Sequence, residues 1–513
     1  MTPGPGERVA LVFEDEQYSY RRLDALTAAL AATLAARGVG AGDRVALMSA
    51  NRPEWIVAVR AIWRLGASVV LFSPAWKRAE TEHALTITEP AHAVGDHPVL
   101  AGLMPMLNLD DPIEPREDAQ EAAAEPDQKS EAVLVFSSGT TGLPKAVIHT
   151  HGSLRAAINH WRDALELTSA DRIQVTTPPS HILGLLNIAT ALELGIWMRL
   201  HRRFDLDRML STIEADKITV EMAVAPIALA LANHPRLESY DLSSLRFIMW
   251  GATPVTASVA QTVTRRTGVA WVPAYGASEL PVIACNPVRG ARLDSAGKPV
   301  PGVELRVVSL ETGHPVKAAG ETGEIQLRAP SLMSGYLPAE ETAASFDDGW
   351  YRTGDVGYVE PDGWVHLTDR SKEMIKVRGF QVAPAEVEGV LLGHPGVRDC
   401  AVFGVPDPVN GESIIAAVAL DPEASPAARP ADANAAVDLR DLAAYVGDRL
   451  ASYKKPAEVI VVDEIPRLPS GKALRRVLKD NYLKHNYLKH DYLKHDYLTS
   501  NHLRETDGRP PVA

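Results

Sequence analysis

Short apolar runs that break into polar, glycine-containing loops set the tightest limit on what this chain can fold into. Ala132–Phe136 runs into Ser137-Ser-Gly-Thr-Thr-Gly-Leu-Pro-Lys145, Phe247–Trp250 into Gly251-Ala-Thr-Pro254, and Trp271–Ala274 into Tyr275-Gly-Ala-Ser-Glu279. Such runs suit buried strands, and ligand sites in α/β sheets form at the carboxyl ends of strands. The first loop is the richest in chemistry. Gly139 and Gly142 let the backbone approach a ligand and turn several N–H groups into one concavity. Ser137, Ser138, Thr140 and Thr141 add hydroxyl donors, and Lys145 adds a positive charge. That composition suits a polyphosphate, although the spacing is not that of a Walker loop. Taken alone, the stretch reads equally well as a Ser/Gly-rich turn.

The flanking text supports an α/β architecture. Residues 10–20 read as a hairpin, and Ser19 is placed to cap a helix over about Arg21–Arg37 that stops at Gly38. Gly38-Val-Gly-Ala-Gly42 follows that helix rather than a strand, so it reads as a cap and turn, not a dinucleotide loop. Val45–Met48, Glu54–Leu65 and Ala67–Phe72 then alternate strand, helix, strand, as a parallel sheet requires. Residues 109–131 are acidic and proline-containing, typical of a solvated connector. From about Val303 the pattern becomes β-rich. After Asp369 a small unit follows, with Pro384–Leu392 and Leu439–Leu450 as helices and Asp399–Val405, Ser413–Leu420 and Glu458–Val462 as strands.

Composition excludes several classes. A chain of 513 residues exceeds one ordinary core and is expected to hold more than one domain. A formal charge of -13 disfavours non-specific binding to nucleic acid or anionic membranes. Cys285 and Cys400 are too few for a zinc site or a disulfide framework, which points to a reducing, cytoplasmic setting. From residue 481 a five-residue Tyr-Leu-Lys-His repeat begins. Five residues turn a helix by about 140° beyond a full turn, so neither the Tyr-Leu pairs nor His485, His490 and His495 gather on one face. The tail is expected to be disordered or marginally helical.

In order along the chain, five motifs resemble those of the acyl-adenylate-forming superfamily: Ser137–Lys145, Tyr275–Glu279, Tyr351-Arg-Thr-Gly-Asp355, Asp369–Lys376 with Gly379, and Pro469-Ser-Gly-Lys-Ala473. The resemblance spans roughly residues 8–480, and the wording after Gly379 is nearest the coumarate-CoA ligase and luciferase branch. It implies a large N-terminal domain, 1–369, of mixed and parallel sheets sandwiched by helices with a β-rich subdomain. A hinge at 370–372 centred on Lys372 then leads to a small mobile α+β domain, 373–480. It also implies that MgATP and a carboxylic acid give an acyl-AMP, which is then transferred to CoA. In those terms, residues 137–142 and Lys145 hold phosphates, while Gly251, Ala252, Tyr275 and Gly276 line the adenine. Asp355 and Arg370 meet the ribose, and Lys376 joins the nucleotide set. Ser278 faces the α-phosphate, Glu279 holds Mg²⁺, and Lys472 touches the carboxylate and α-phosphate. His181, Leu183, Trp250, Ala274, Ala277 and Leu280 are expected to wall the acid pocket, with His181 at its mouth. No aspartate stands near His181 to pair with an amino-acid substrate, so an aryl, cinnamoyl-like or medium-chain acid is expected. The final acceptor stays open among CoA, a carrier protein, and nitrite with an aromatic amine.

Overall fold

The computed structural model describes residues 5–115, 126–137, 144–251, 256–370, 373–377, 380–407, 411–421, 439–467 and 472–484. The chain divides between Leu367 and Thr368 into two units. Part of the acidic connector, all of the repeats from His485 onward, and Ser138–Leu143, Ala252, Lys372 and Gly379 lie outside the described residues.

The first unit contains three sheets. In the nine-stranded sheet, six strands run parallel in the order Val9–Phe13, Trp197–Leu200, Arg172–Val175, Val220–Ala223, Phe247–Trp250, Trp271–Tyr275. Antiparallel strands close both edges. The central strands are buried on both faces and largely apolar, as expected of strands covered by helices on each side. Leu11, Val220, Phe247 and Val272 are fully buried, at about 1.5–3 kcal/mol for each large side chain. The expected first hairpin is present as Val9–Phe13 with Glu16–Ser19. Ser19 caps the helix Tyr20–Ala36 by accepting from the Arg22 N–H.

The seven-stranded sheet has a parallel centre, with Ser68–Phe72 lying between Arg44–Met48 and Glu131–Ser137. Its edge is antiparallel: Glu131–Ser137 turns back into Lys145–Thr150, which pairs with the short strand Gly335–Leu337. Ser137 and Lys145 are register partners at the ends of these two strands. The third sheet is the β-rich region, ordered Glu304–Val308, Gly323–Arg328, Trp350–Val359, Phe346–Asp347. No helix among the described residues is long and apolar enough to cross a membrane.

The second unit is an α+β layer. Its strands run Phe380–Val382, Ile375–Val377, Gly411–Leu420, Val397–Asp407, with Glu458–Val461 parallel to Gly411–Leu420. Helices Pro384–Leu391 and Leu439–Gly447 cover one face through Val387, Leu391, Leu442 and Val446. Both cysteines are buried thiols.

One buried polar network was not legible in the sequence. Glu221, fully buried on a central strand, accepts from Gln174 Nε2 at 2.6 Å. His201 Nε2 and Thr212 Oγ1 each reach Gln174 Oε1 at 2.7 Å. Burial pushes the Glu221 carboxyl up to about 8, so it is largely protonated at neutral pH. A carboxyl raised in the folded state stabilises the fold fully below its unfolded value near 4.3, and that stability is lost as pH rises through about 8. Glu221→Gln copies the protonated form. The variant is expected to gain stability over the parent as pH is raised from 5 to 8, by at most roughly 1.4 kcal/mol per pH unit. Thermal melts across that range check this, and a constant gap between the two proteins would contradict it.

Candidate active site

The carboxyl ends of three neighbouring parallel strands present the first part of the site. Ala223 pairs with Trp250, and Trp250 with Pro273, so the loops that follow start level with one another. Gly251 continues this line, its N–H donating to the Ala223 carbonyl at 3.2 Å. Tyr275 and Gly276 follow on the next strand. Gly276 has no room for a side chain, because a Cβ there would lie 2.1 Å from the Pro281 carbonyl oxygen. The loop is pulled tight by Ala277 N–H to Leu280 O at 3.0 Å and Ile283 N–H to Tyr275 O at 2.8 Å. That folding carries Ser278 and Glu279 outward on a short, rigid turn.

The seven-stranded sheet pins this turn from the side. His149 is fully buried on the strand that begins at Lys145, and its Nε2 donates to the Ser278 carbonyl at 2.7 Å. Burial pushes the His149 imidazole down to about 4, so it is neutral at pH 7, as a single Nε2–H donor requires. Tyr336, from the edge strand, donates to Glu279 Oε1 at 2.8 Å, and Tyr351 lies 3.1 Å from the Tyr336 hydroxyl. Lys145 itself pairs with Glu341 and lies 5.7 Å from the Tyr336 ring centre. His149, Tyr336 and Glu341 were not anticipated from the sequence, and Tyr351 was read only as part of the Tyr351–Asp355 motif.

Asp355 reaches the site from the β-rich sheet by means of a bulge. Gln326 pairs with Arg352 but Glu324 pairs with Val356, so Thr353-Gly354-Asp355 forms an expanded stretch opposite Ile325. Gly354 takes a φ of +70°, which favours glycine. Thr353 Oγ1 donates to Ile325 O at 2.7 Å and accepts from the Asp355 N–H at 2.9 Å, fixing the bulge. The result is that Tyr275 donates to Asp355 Oδ2 at 2.5 Å. A bulge that re-aims one side chain is a common device beside active sites.

The expected pocket residues separate into two groups. Trp250 is 1 % exposed and packs against Trp271 at 5.2 Å between ring centres, and Leu280 is fully buried, so both act as core and offer almost no open surface. Leu183, Ala274 and Ala277 are part-buried apolar residues. His181 caps the helix Ile182–Leu194, its Nδ1 accepting from the Leu183 N–H at 3.3 Å. Burial pushes His181 down to about 4, making it a neutral donor through Nε2 rather than a cation. Gly184 packs against the Pro178 carbonyl, where a Cβ would approach to 2.3 Å.

In the second unit, Lys472 lies in a loop closed by the Arg467–Ala473 bridge and by Leu474 N–H to Pro466 O at 2.8 Å. Arg467 with Asp399 at 2.6 Å and Arg475 with Glu388 at 2.9 Å anchor the loop on both sides. Lys376 is exposed, with its N–H donating to Glu412 at 2.8 Å. Arg370 ends the strand Val365–Arg370.

The described residues thus place a tight Gly-containing turn bearing one carboxylate next to a bulge that offers a second. The sequence pattern of the AMP-binding enzyme family matches residues 3–337, and that of the AMP-binding enzyme C-terminal domain matches 386–472. The chain therefore belongs to this family, the acyl-adenylate-forming enzymes. It is similar to a feruloyl-CoA synthase of Amycolatopsis sp., 35% identical over 475 residues, 89% of this chain and 92% of the relative. Among solved structures it resembles O-succinylbenzoate coenzyme A synthetase of Bacillus subtilis in complex with ATP and magnesium ion. The TM-score is 0.80 at 30% identity, covering 92% of this chain and 96% of that one. It also resembles the amide bond synthetase McbA of Marinactinospora thermotolerans, with a TM-score of 0.82 at 30% identity and coverage of 93% and 97%. The protein is an enzyme of the AMP-forming acid–thiol ligase type, using ATP to form an acyl adenylate from a small carboxylic acid and CoA as acceptor.

The two glycines give a direct test of the loop geometry. Gly276→Ala must displace the Pro281 carbonyl and is expected to lose about 1–3 kcal/mol of stability. Gly354→Ala meets no neighbour within 4 Å and is strained only by its φ, at about 1–2 kcal/mol. Urea melts with ATP titrations check both. ATP binding unaltered in either variant would show that the loop is not part of the nucleotide site.

Proposed function

We propose that the enzyme adenylates an aryl or cinnamoyl-like carboxylic acid and passes the acyl group to CoA. Three things support this reading: Leu183, Ala274 and Ala277 are part-buried apolar residues, His181 is neutral, and the sequence offers no aspartate near His181 to pair with a substrate amine. An apolar pocket with one polar donor suits a flat aromatic acid. The name of the feruloyl-CoA synthase relative supports the same class. A medium-chain acid is the second reading of the same apolar residues.

In the first half-reaction a carboxylate oxygen attacks the α-phosphorus of ATP, the Pα–O–Pβ bond breaks, and pyrophosphate leaves. The carboxylate is already ionised at pH 7, so no general base is needed. Two anions must meet, and neutralising their charge is the main catalytic task. Lys145 and the Ser137–Gly142 loop would grip the β- and γ-phosphates, Ser278 the α-phosphate, and Lys472 the reacting oxygens. Gly251, Ala252, Tyr275 and Gly276 would enclose the adenine, with Lys376 in the nucleotide set. Asp355, already fixed by Tyr275, and Arg370 would take the ribose hydroxyls. In the second half-reaction the CoA sulfur attacks the acyl carbon and AMP leaves. Rotation about Lys372, within a hinge at 370–372, would withdraw Lys472 between the two steps.

Glu279 fits a Mg²⁺ ligand by its donor chemistry. Among the described residues no cluster of three or more His, Cys, Asp or Glu is placed to hold a metal, so the protein offers no complete cage. Mg²⁺ characteristically takes one or two carboxylates plus substrate phosphate oxygens. When bound, the ion would offset phosphate charge.

A mass-resolved assay tests this reading, with MgATP, a panel of acids, and separate arms supplying CoA, an amine, a carrier protein, or nitrite with an aromatic amine. An aryl-CoA thioester with AMP and pyrophosphate is expected. Acid-dependent pyrophosphate release without thioester would overturn the acceptor, and the arm that yields product would replace it. The amine arm is included because of the likeness to an amide bond synthetase. Lys472→Ala is expected to lose adenylation by about 100-fold or more while keeping thioester formation from supplied acyl-AMP. Equal loss in both half-reactions would contradict the withdrawal of Lys472.

A further inference from the structure

Tyr336 has a hydroxyl that packing does not explain. It lies on the three-residue edge strand Gly335–Leu337, paired with Val147, and its ring fills the core between sheets. Phenylalanine would occupy the same volume. The hydroxyl instead lies 2.8 Å from Glu279 Oε1 and 3.1 Å from the Tyr351 hydroxyl, with Glu279, Tyr336 and Tyr351 respectively 9 %, 6 % and 5 % exposed.

Proton counting gives this arrangement a direction. An ionised carboxylate only accepts, and each phenol has a single proton. Tyr336 therefore donates to Glu279, and the Tyr351 hydroxyl donates to Tyr336. One carboxylate oxygen is thus committed to the protein, and the orientation of the other is fixed. Met333 N–H to Glu279 O at 2.8 Å holds the backbone of the same residue. Because Lys145 lies over the Tyr336 ring face, one tyrosine touches both charged groups of the polyphosphate end of the site.

We propose that Tyr336, backed by Tyr351, is a positioning residue that aims Glu279 at the nucleotide-bound divalent cation. This rests on the reading of Glu279 as the metal carboxylate. The test is ATP binding by calorimetry with excess Mg²⁺ and, separately, with EDTA, on the parent, Tyr336→Phe, Tyr351→Phe and Glu279→Gln, each checked by a thermal melt. Tyr336→Phe is expected to weaken MgATP binding about tenfold and to leave metal-free ATP binding within about twofold. Tyr351→Phe, which leaves the direct donor in place, is expected to move the same ratio less. An unchanged MgATP affinity in Tyr336→Phe, or an equal loss with and without metal, would overturn the positioning role. If the parent shows no Mg²⁺ dependence, or Glu279→Gln keeps it in full, the metal role of Glu279 falls, and the positioning role with it.

Discussion

Two phenol–carboxylate hydrogen bonds tie the first unit together at its site. Tyr275 to Asp355 joins the nine-stranded sheet to the β-rich sheet, and Tyr336 to Glu279 joins the edge of the seven-stranded sheet back to the nine-stranded one. Hydrogen bonds to charged acceptors are stronger than neutral ones, at about 1.5–3 kcal/mol each. Their larger effect is geometric. Each carboxylate is held by a residue from a different sheet, so its position depends on how the three sheets pack together. His149, donating to the Ser278 carbonyl, adds a third tie between the same elements.

The electrostatics of these ties follow from burial. His149 and His181 are both pushed down to about 4, so neither brings a positive charge to the site at neutral pH. Lys145 is held against Glu341. Unit charges 4 Å apart attract by about 4 kcal/mol at an effective dielectric near 20.

What the sequence made legible was the loops, because glycine, hydroxyls and charge in a short stretch have few other uses. Tyr275-Gly-Ala-Ser-Glu279 forms a tight turn and Thr353-Gly-Asp355 a bulge in the structure. The strand–helix alternation from Arg44 to Phe72 was legible for a similar reason, since its apolar runs and stops are local. The supporting residues were not. Tyr336 lies 57 residues from Glu279, Glu341 lies 196 from Lys145, and His149 lies 129 from Ser278. In the sequence each is one polar or aromatic residue in ordinary strand or helix text, and only the pairing of sheets reveals its partner. From their place beside site motifs Trp250 and Leu280 read as pocket walls; in the structure Trp250 packs in a helix-covered apolar cluster and Leu280 is buried in the tight turn.

The central claim is that this site joins a carboxylic acid to AMP before any acceptor takes part. Acid-dependent exchange of labelled pyrophosphate into ATP, in the absence of CoA, tests that step most directly. The account predicts exchange that requires an aryl acid, saturates with it, and disappears in Lys472→Ala. Exchange that proceeds equally without acid, or no exchange with any acid while ATP still binds, would contradict it.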